Sequence, residues 1–79
     1  MRLLFFAQLK DATGHSELEW PDAGSMSTEA LWERLIRDFP ALARHSASVR
    51  LARNGEYAGP DAVFEQGDEV AFIPPVSGG

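Results

Sequence analysis

The chain has 79 residues, a formal charge of −5 and 44% apolar residues, which predicts one small globular domain. Its seven basic residues are outnumbered by twelve acidic ones, so nucleic acid is not an expected partner. An acidic domain is better suited to bind a basic surface of another protein. The absence of cysteine excludes disulfides and a thiol nucleophile. His15 and His45 lack the spacing of a metal site, and no apolar stretch is long enough for a membrane span or a signal peptide. We therefore expect a cytoplasmic protein without a bound metal.

The first half of the chain predicts two strands and then one helix. Residues 2–9 are apolar on both alternating faces, which is typical of a central strand, and turn residues follow at 11–14. A second strand is predicted over 16–20, with Leu18 and Trp20 on one face. Ser27 can cap a helix that Pro40 ends, with a further short turn possible over 40–44. The apolar stripe of this helix consists of Leu31, Trp32, Leu35, Ile36 and Phe39.

The second half predicts further strands. Residues 49–53 alternate like a half-buried strand, and Asn54-Gly55 is a strong hairpin signal before a short return strand over 56–58. Val63 and Phe64 are expected to fill the core from an irregular connection, and the last strand is predicted over 69–74. This order predicts an α+β fold of the ubiquitin-like β-grasp type, with a mixed sheet of about five strands on one main helix. Residues 1–75 would form the domain and residues 76–79 a flexible C-terminal tail.

A docking surface is predicted because the first and last strands are apolar on both faces, whereas one helix covers only one face of a sheet. If Phe5, Ala7, Val70 and Phe72 face the helix, a second apolar set lies on the open face. This set consists of Leu4, Phe6, Ala71 and Ile73, and Tyr57 can join it. An exposed apolar patch on a small protein usually marks an interaction site. The alternative is that the irregular connection covers part of this patch.

The chain ends in Pro74-Pro75-Val76-Ser77-Gly78-Gly79, which is the second feature with a functional signal. The prolines cannot continue a strand ladder, and the last four residues can reach roughly 13–14 Å when fully extended. Glycine lets the backbone approach a reactive centre closely, so the terminal carboxylate would be accessible to attack. The alternative interpretation is a frayed terminus that happens to contain glycine.

Four segments of the sequence resemble one known family, and the resemblance extends over essentially the whole chain. They are Leu4-Phe5-Phe6-Ala7, Asn54-Gly55, the run from Gly67 to Phe72, and the Pro-Pro-Val-Ser-Gly-Gly ending. They are similar to the small subunit of molybdopterin synthase, the MoaD-type sulfur carrier of the MoaD/ThiS ubiquitin-like family. The thiazole-synthesis carriers of that family share the fold and the Gly-Gly ending, but they do not typically carry the Pro-Pro-Val-Ser run.

The resemblance implies a role in molybdenum cofactor biosynthesis. An E1-like adenylating enzyme (MoeB type) would use ATP to activate the Gly79 carboxylate, and a sulfur donor would then convert it to a thiocarboxylate. The carrier would dock on the large subunit of molybdopterin synthase (MoaE type), in a heterotetramer of two carriers and two large subunits. It would bind no cofactor of its own and would not be an enzyme by itself.

The resemblance also implies roles for individual residues. Gly79 would accept the sulfur, and Gly78 would give backbone access. Val76 and Ser77 would line the channel of the partner. Phe6, Tyr57 and Ile73 would form the docking patch, with Pro75 at the base of the tail.

Three other functions remain open at the level of the sequence. The chain could carry sulfur for thiazole synthesis or for tRNA thiolation. It could be a ubiquitin-like tag that is attached to other proteins. It could also be a β-grasp interaction module with an inert tail.

Overall fold

The structure is a computed structural model that describes residues 1–75. In chain order its elements are β1 (Arg2–Phe5), α1 (Gln8–Thr13), β2 (Glu17–Glu19), β3 (Met26–Ser27), α2 (Thr28–Asp38), a 3₁₀ helix (Pro40–Arg44), β4 (Arg50–Arg53), β5 (Glu56–Tyr57), β6 (Val63–Phe64) and β7 (Glu69–Ile73). Five strands form a mixed sheet in the order β2-β1-β7-β4-β5, in which β1 and β7 are parallel and the other neighbours antiparallel. This is the α+β, β-grasp architecture that the sequence predicts.

Helix α2 covers one face of the sheet. The side chain of Ser27 accepts a hydrogen bond from the amide of Ala30 at 3.1 Å and so caps the helix as predicted. Leu31 and Leu35 are fully buried, and the rest of the predicted stripe is partly buried against the same core. Phe72 is the aromatic centre of this core, because it stacks on Phe5 at 5.1 Å and meets the edge of Trp32 at 5.3 Å between ring centroids.

The hairpin predicted at Asn54-Gly55 connects β4 to β5. Both residues have positive φ, 51° and 88°, which is the geometry of a type I′ turn. The Asn54 side chain also fastens this turn to the start of β7: its oxygen accepts from the Glu69 amide at 2.9 Å, and its amide group donates to Asp68 at 3.1 Å. The turn residue therefore holds the hairpin against the central strand.

The prediction of one strand over 2–9 is wrong beyond Phe5. Ala7 has a φ of 51°, and the chain then enters α1, so Ala7 is exposed and does not face α2. Leu9 is buried from this helix, where Thr13 donates its hydroxyl hydrogen to the Leu9 carbonyl at 3.1 Å. The predicted turn at 11–14 is correspondingly the end of α1, closed by Gly14 in the left-handed conformation. The alternating apolar pattern over residues 2–9 gave a wrong prediction for Leu9, because Leu9, Ala12 and Thr13 also fit the spacing of one face of a helix.

The connection after β5 was predicted partly correctly. Phe64 is fully buried, but Val63 is 45% exposed, so only one of the two residues fills the core. Strand β6 pairs with β3, which places Met26 opposite Phe64 in a separate two-stranded sheet. Alternation explains the difference, because adjacent residues of a strand point to opposite faces.

Candidate functional site

The face of the sheet opposite α2 can be assigned from the register of the strands. Leu3, Phe5, Val70 and Phe72 are buried under the helix, so the alternate residues of β1 and β7 point the other way. The antiparallel pairs extend this face to the edge strands. Its members are Arg2, Leu4, Glu17, Glu19, Arg50, Ala52, Tyr57, Glu69, Ala71 and Ile73. We call this the open face.

The centre of the open face is apolar and incompletely covered. Leu4, Ala71 and Ile73 are only partly buried, and Tyr57 is 68% exposed. Phe6 is 48% exposed and directly follows the Phe5–Phe72 pair of the parallel ladder; by the alternation of β1 it is counted with the open face. The structure thus brings the predicted patch residues to one end of the sheet, and no helix among residues 1–75 covers them.

The base of the tail lies at this same end. Strand β7 ends at Ile73, and the two prolines that follow are half-buried (Pro74) and exposed (Pro75). A pocket of about 250 Å³ surrounds this point and is lined by Ser48, Arg50, Tyr57, Ile73, Pro74 and Pro75. The predicted site residues Val76, Ser77, Gly78 and Gly79 lie outside the described residues.

Arg50 is the site residue that the sequence reasoning missed. It is exposed, it lies opposite Ile73 in the β4–β7 ladder, and its guanidinium carbon is 5.6 Å from the centroid of the Tyr57 ring. This distance is within the range of a cation–π interaction. The alternation of residues 49–53 already predicts that Arg50 points away from the core-facing Leu51, which is the signal that could have identified it.

The opposite end of the open face carries a charge cluster. Arg2 donates to Glu17 at 3.0 Å and to Glu69 at 3.3 Å, and the N-terminal ammonium group lies 3.3 Å from Glu19. The hydrogen bond to Glu17 is the main reason that the pKa of Arg2 is raised above its usual value, and the charge of Glu17 adds to it. These carboxylates therefore have partners within the fold.

The described part of the chain offers neither a metal site nor a membrane-spanning helix. Residues 1–75 contain no group of three acidic or histidine side chains placed to hold a metal ion. Within the same residues, no helix is long and apolar enough to span a membrane.

A β-grasp domain whose last strand leads into a Gly-Gly terminus defines the class of ubiquitin-like carrier proteins. Comparison with known proteins specifies the family. The profile of the ThiS family matches residues 3–79, and the chain belongs to this family, among the MoaD-type small subunits of molybdopterin synthase. The resemblance noted in the sequence is thereby confirmed.

The similarity to related proteins covers all of this chain and most of each relative. The molybdopterin synthase sulfur carrier subunit of Arabidopsis thaliana is 34% identical over 79 residues, covering 100% of this chain and 82% of that protein. The corresponding subunit of Escherichia coli is 36% identical over 81 residues, covering 100% and 99%. Among solved structures, SAMP1 from Haloferax volcanii superposes with a TM-score of 0.80 at 29% identity, covering 99% of this chain and 97% of that one. The last comparison supports the β-grasp assignment independently of the sulfur carriers.

Proposed function

We propose that this chain carries sulfur as a C-terminal thiocarboxylate on Gly79 and delivers it to the pyranopterin precursor of molybdopterin. The observation that carries the proposal is the coincidence of three features at one end of the sheet. The exposed apolar residues Phe6 and Tyr57, the half-buried Ile73 and the base of the tail at Pro75 all lie there. Full-length similarity to molybdopterin synthase sulfur carrier subunits supports the same function.

Activation of the tail requires a partner enzyme. In the proposed first step, an E1-like adenylating enzyme (MoeB type) lets a Gly79 carboxylate oxygen attack the α-phosphate of ATP, and pyrophosphate leaves. A sulfide-level donor then attacks the Gly79 carbonyl carbon, and AMP leaves with the C–O electron pair. The product is a thiocarboxylate anion. Because this chain has no cysteine, the sulfur cannot be carried on a side chain thiol and must be carried by the terminus.

Delivery of the sulfur depends on docking. The open face would pack on the large subunit of molybdopterin synthase (MoaE type), and burial of its apolar centre would favour the complex against the entropic cost of association. The two prolines direct the chain out of the sheet at the edge of this interface. Residues 76–79 would then extend into the active site of the partner, and the thiocarboxylate sulfur would attack the precursor there. The acid–base groups would belong to the large subunit.

The similarity to SAMP1 favours a second candidate function. A second crystal structure from Haloferax volcanii is described as that of small archaeal modifier protein 1. If this chain acted as a modifier, the activated Gly79 carbonyl would be attacked by an amine of another protein and not by a sulfur donor. The adenylation step would be common to both functions, and the acceptor would distinguish them.

Matched variants test the docking step. We expect Phe6→Asp to weaken binding to the large subunit at least about tenfold while the monomer stays folded, because the Phe6 side chain is half exposed and outside the core. Val63→Asp is the control, since Val63 is exposed to a similar extent but lies on β6, away from the open face. Isothermal titration with purified large subunit gives the affinities, and circular dichroism gives the melting temperatures. Equal affinities for the two variants would contradict the assignment of the open face.

Deletion of Gly79 tests the tail separately. We expect this deletion to abolish sulfur transfer in a reconstituted synthase assay and to leave the melting temperature unchanged, because Gly79 follows the last strand of the domain. A truncated chain that still supports product formation would contradict the carrier function and favour the interaction module with an inert tail.

A further inference from the structure

Arg50 differs from the other charged residues of the open face because residues 1–75 supply no acidic partner for it. Among residues 1–75, Arg2 is paired with Glu17 and Glu69, and the N-terminal ammonium group with Glu19. Within the same described residues, no ion pair or hydrogen bond of the Arg50 side chain is found. Its guanidinium carbon lies over the Tyr57 ring, 5.6 Å from the ring centroid. The charged groups at one end of the open face are thus paired with one another, whereas the tail end presents the positive charge of Arg50.

The position of Arg50 makes that charge part of the proposed interface. It lies between Tyr57 and Ile73, opposite Ile73 in the β4–β7 ladder, and it lines the pocket at the base of the tail. A partner that covers Tyr57 and Ile73 and also receives the tail must therefore cover Arg50. Removing a guanidinium group from water without a counter-charge costs several kcal/mol, which would offset much of the gain from the apolar centre.

We infer that the protein partner presents a carboxylate to Arg50, beside the opening that receives the tail. This inference rests on the proposed function, and it adds the chemistry that the partner surface must have. A carboxylate suits this position because the planar guanidinium group can donate two parallel hydrogen bonds to it. The guanidinium group lies within cation–π range of the Tyr57 ring, and the residue is exposed, so its donors are accessible to a partner.

The pair would fix the register of docking. The apolar centre of the open face is non-directional, so it permits several orientations of a partner with similar burial. A single charge pair at the base of the tail selects the orientation in which the tail enters the active site, and it disfavours partners that carry a basic group there. Arg50 is thus a residue that determines which proteins accept the carrier.

The test compares charge variants of the full chain in binding to the large synthase subunit. We expect Arg50→Glu to raise Kd at least about tenfold at low salt, and Arg50→Gln to have an intermediate effect. The difference from wild type should shrink as salt is raised toward about 1 M, because screening shortens the reach of the charge. The matched control is Arg37→Glu, which makes the same charge change at an exposed position of α2 on the other side of the sheet. We expect Arg37→Glu to bind within about twofold of wild type.

A reciprocal variant identifies the carboxylate. Acidic residues of the large subunit around its tail-binding opening are changed one at a time to Lys, and each is titrated with wild-type and Arg50→Glu carrier. One of these variants should bind Arg50→Glu more tightly than it binds wild type. Absence of any such charge-swap partner would overturn the inference.

The outcomes separate this inference from the proposed function. If Arg50→Glu binds like wild type while Phe6→Asp does not bind, the open face docks but Arg50 has no acidic partner, and the inference fails alone. If neither variant changes Kd, the open face does not dock, so the inference and the docking step of the proposed function both fail, whereas sulfur carriage by Gly79 is judged by its deletion. Tighter binding by Arg50→Glu would mean that Arg50 pairs with the C-terminal carboxylate of its own chain, and it would also overturn the inference.

Discussion

Two adjacent residues of β7 are expected to have different roles, one in the stability of the fold and the other in binding to the partner. Phe72 faces α2, is fully buried, and contacts both Phe5 and Trp32. Ile73 lies on the open face and is only partly buried. We predict that Phe72→Ala destabilises the fold, although Phe72 is not part of the interface. We predict that Ile73→Ala weakens docking and has little effect on the stability of the fold.

The magnitudes follow from these environments. Truncating a buried Phe to Ala typically costs about 3–5 kcal/mol, and the two aromatic contacts of Phe72 favour the upper part of that range. A domain of this size is stable by roughly 4–12 kcal/mol, at about 0.05–0.15 kcal/mol per residue, so Phe72→Ala removes a large fraction of the total. Ile73→Ala should cost under about 1.5 kcal/mol, because its side chain is already partly exposed to water in the folded state.

Urea denaturation followed by tryptophan fluorescence measures both losses, since Trp20 and Trp32 belong to or pack against the core. With an m-value of about 1 kcal/mol/M, a loss of 3 kcal/mol lowers the midpoint by about 3 M. Phe72→Leu serves as a control that keeps an apolar side chain in place and should lose less. If Ile73→Ala destabilises the protein as much as Phe72→Ala, the assignment of the two faces is refuted.

Two further predictions concern local interactions. Ser27→Ala should lower the free energy of unfolding by about 1 kcal/mol through loss of the cap on the Ala30 amide, whereas Ser27→Asp should retain most of it; an equal loss in both would contradict capping. Hydrogen bonds from the Glu65 amide and then from the Asn54 side chain hold the pKa of Asp68 below its usual value. Because its folded pKa is below its unfolded value of about 3.9, Asp68 stabilises the fold above that pH, and this contribution is lost as pH falls through the folded pKa. Asp68→Asn should therefore be less stable than wild type at pH 7 and nearly equal to it well below pH 4, and a difference that does not shrink with acid would contradict this.

The parts of the fold that the sequence predicted are those with strong local signals. The stripe of α2, its cap at Ser27 and the Asn54-Gly55 hairpin each combine several residues that favour the same structure. The alternation in β7 correctly placed Phe72 under the helix and Ile73 on the open face. These elements position the base of the tail, so the general location of the candidate site was also predictable.

The remaining features depend on contacts between distant segments. The sequence predicts a strand where helix α1 forms, because Leu9 fits both periodicities. The helix is established by its packing against the 3₁₀ helix (Pro40–Arg44). The pairing of β3 with β6 involves two residues on each strand, which is too short for any pattern. Arg50 was missed because its significance comes from Tyr57 and Ile73, which become its neighbours only when β4, β5 and β7 assemble.

The central claim is that Gly79 carries sulfur, and the absence of cysteine allows a direct measurement. The purified chain is incubated with ATP, an E1-like adenylating enzyme and a sulfur donor, treated with a thiol-alkylating reagent, and analysed by mass spectrometry of the intact protein and its C-terminal peptide. The account predicts one alkyl group on a sulfur at Gly79, and none when ATP is omitted or Gly79 is deleted. An unlabelled chain, with an adenylating enzyme shown to be active on another carrier, would contradict the account.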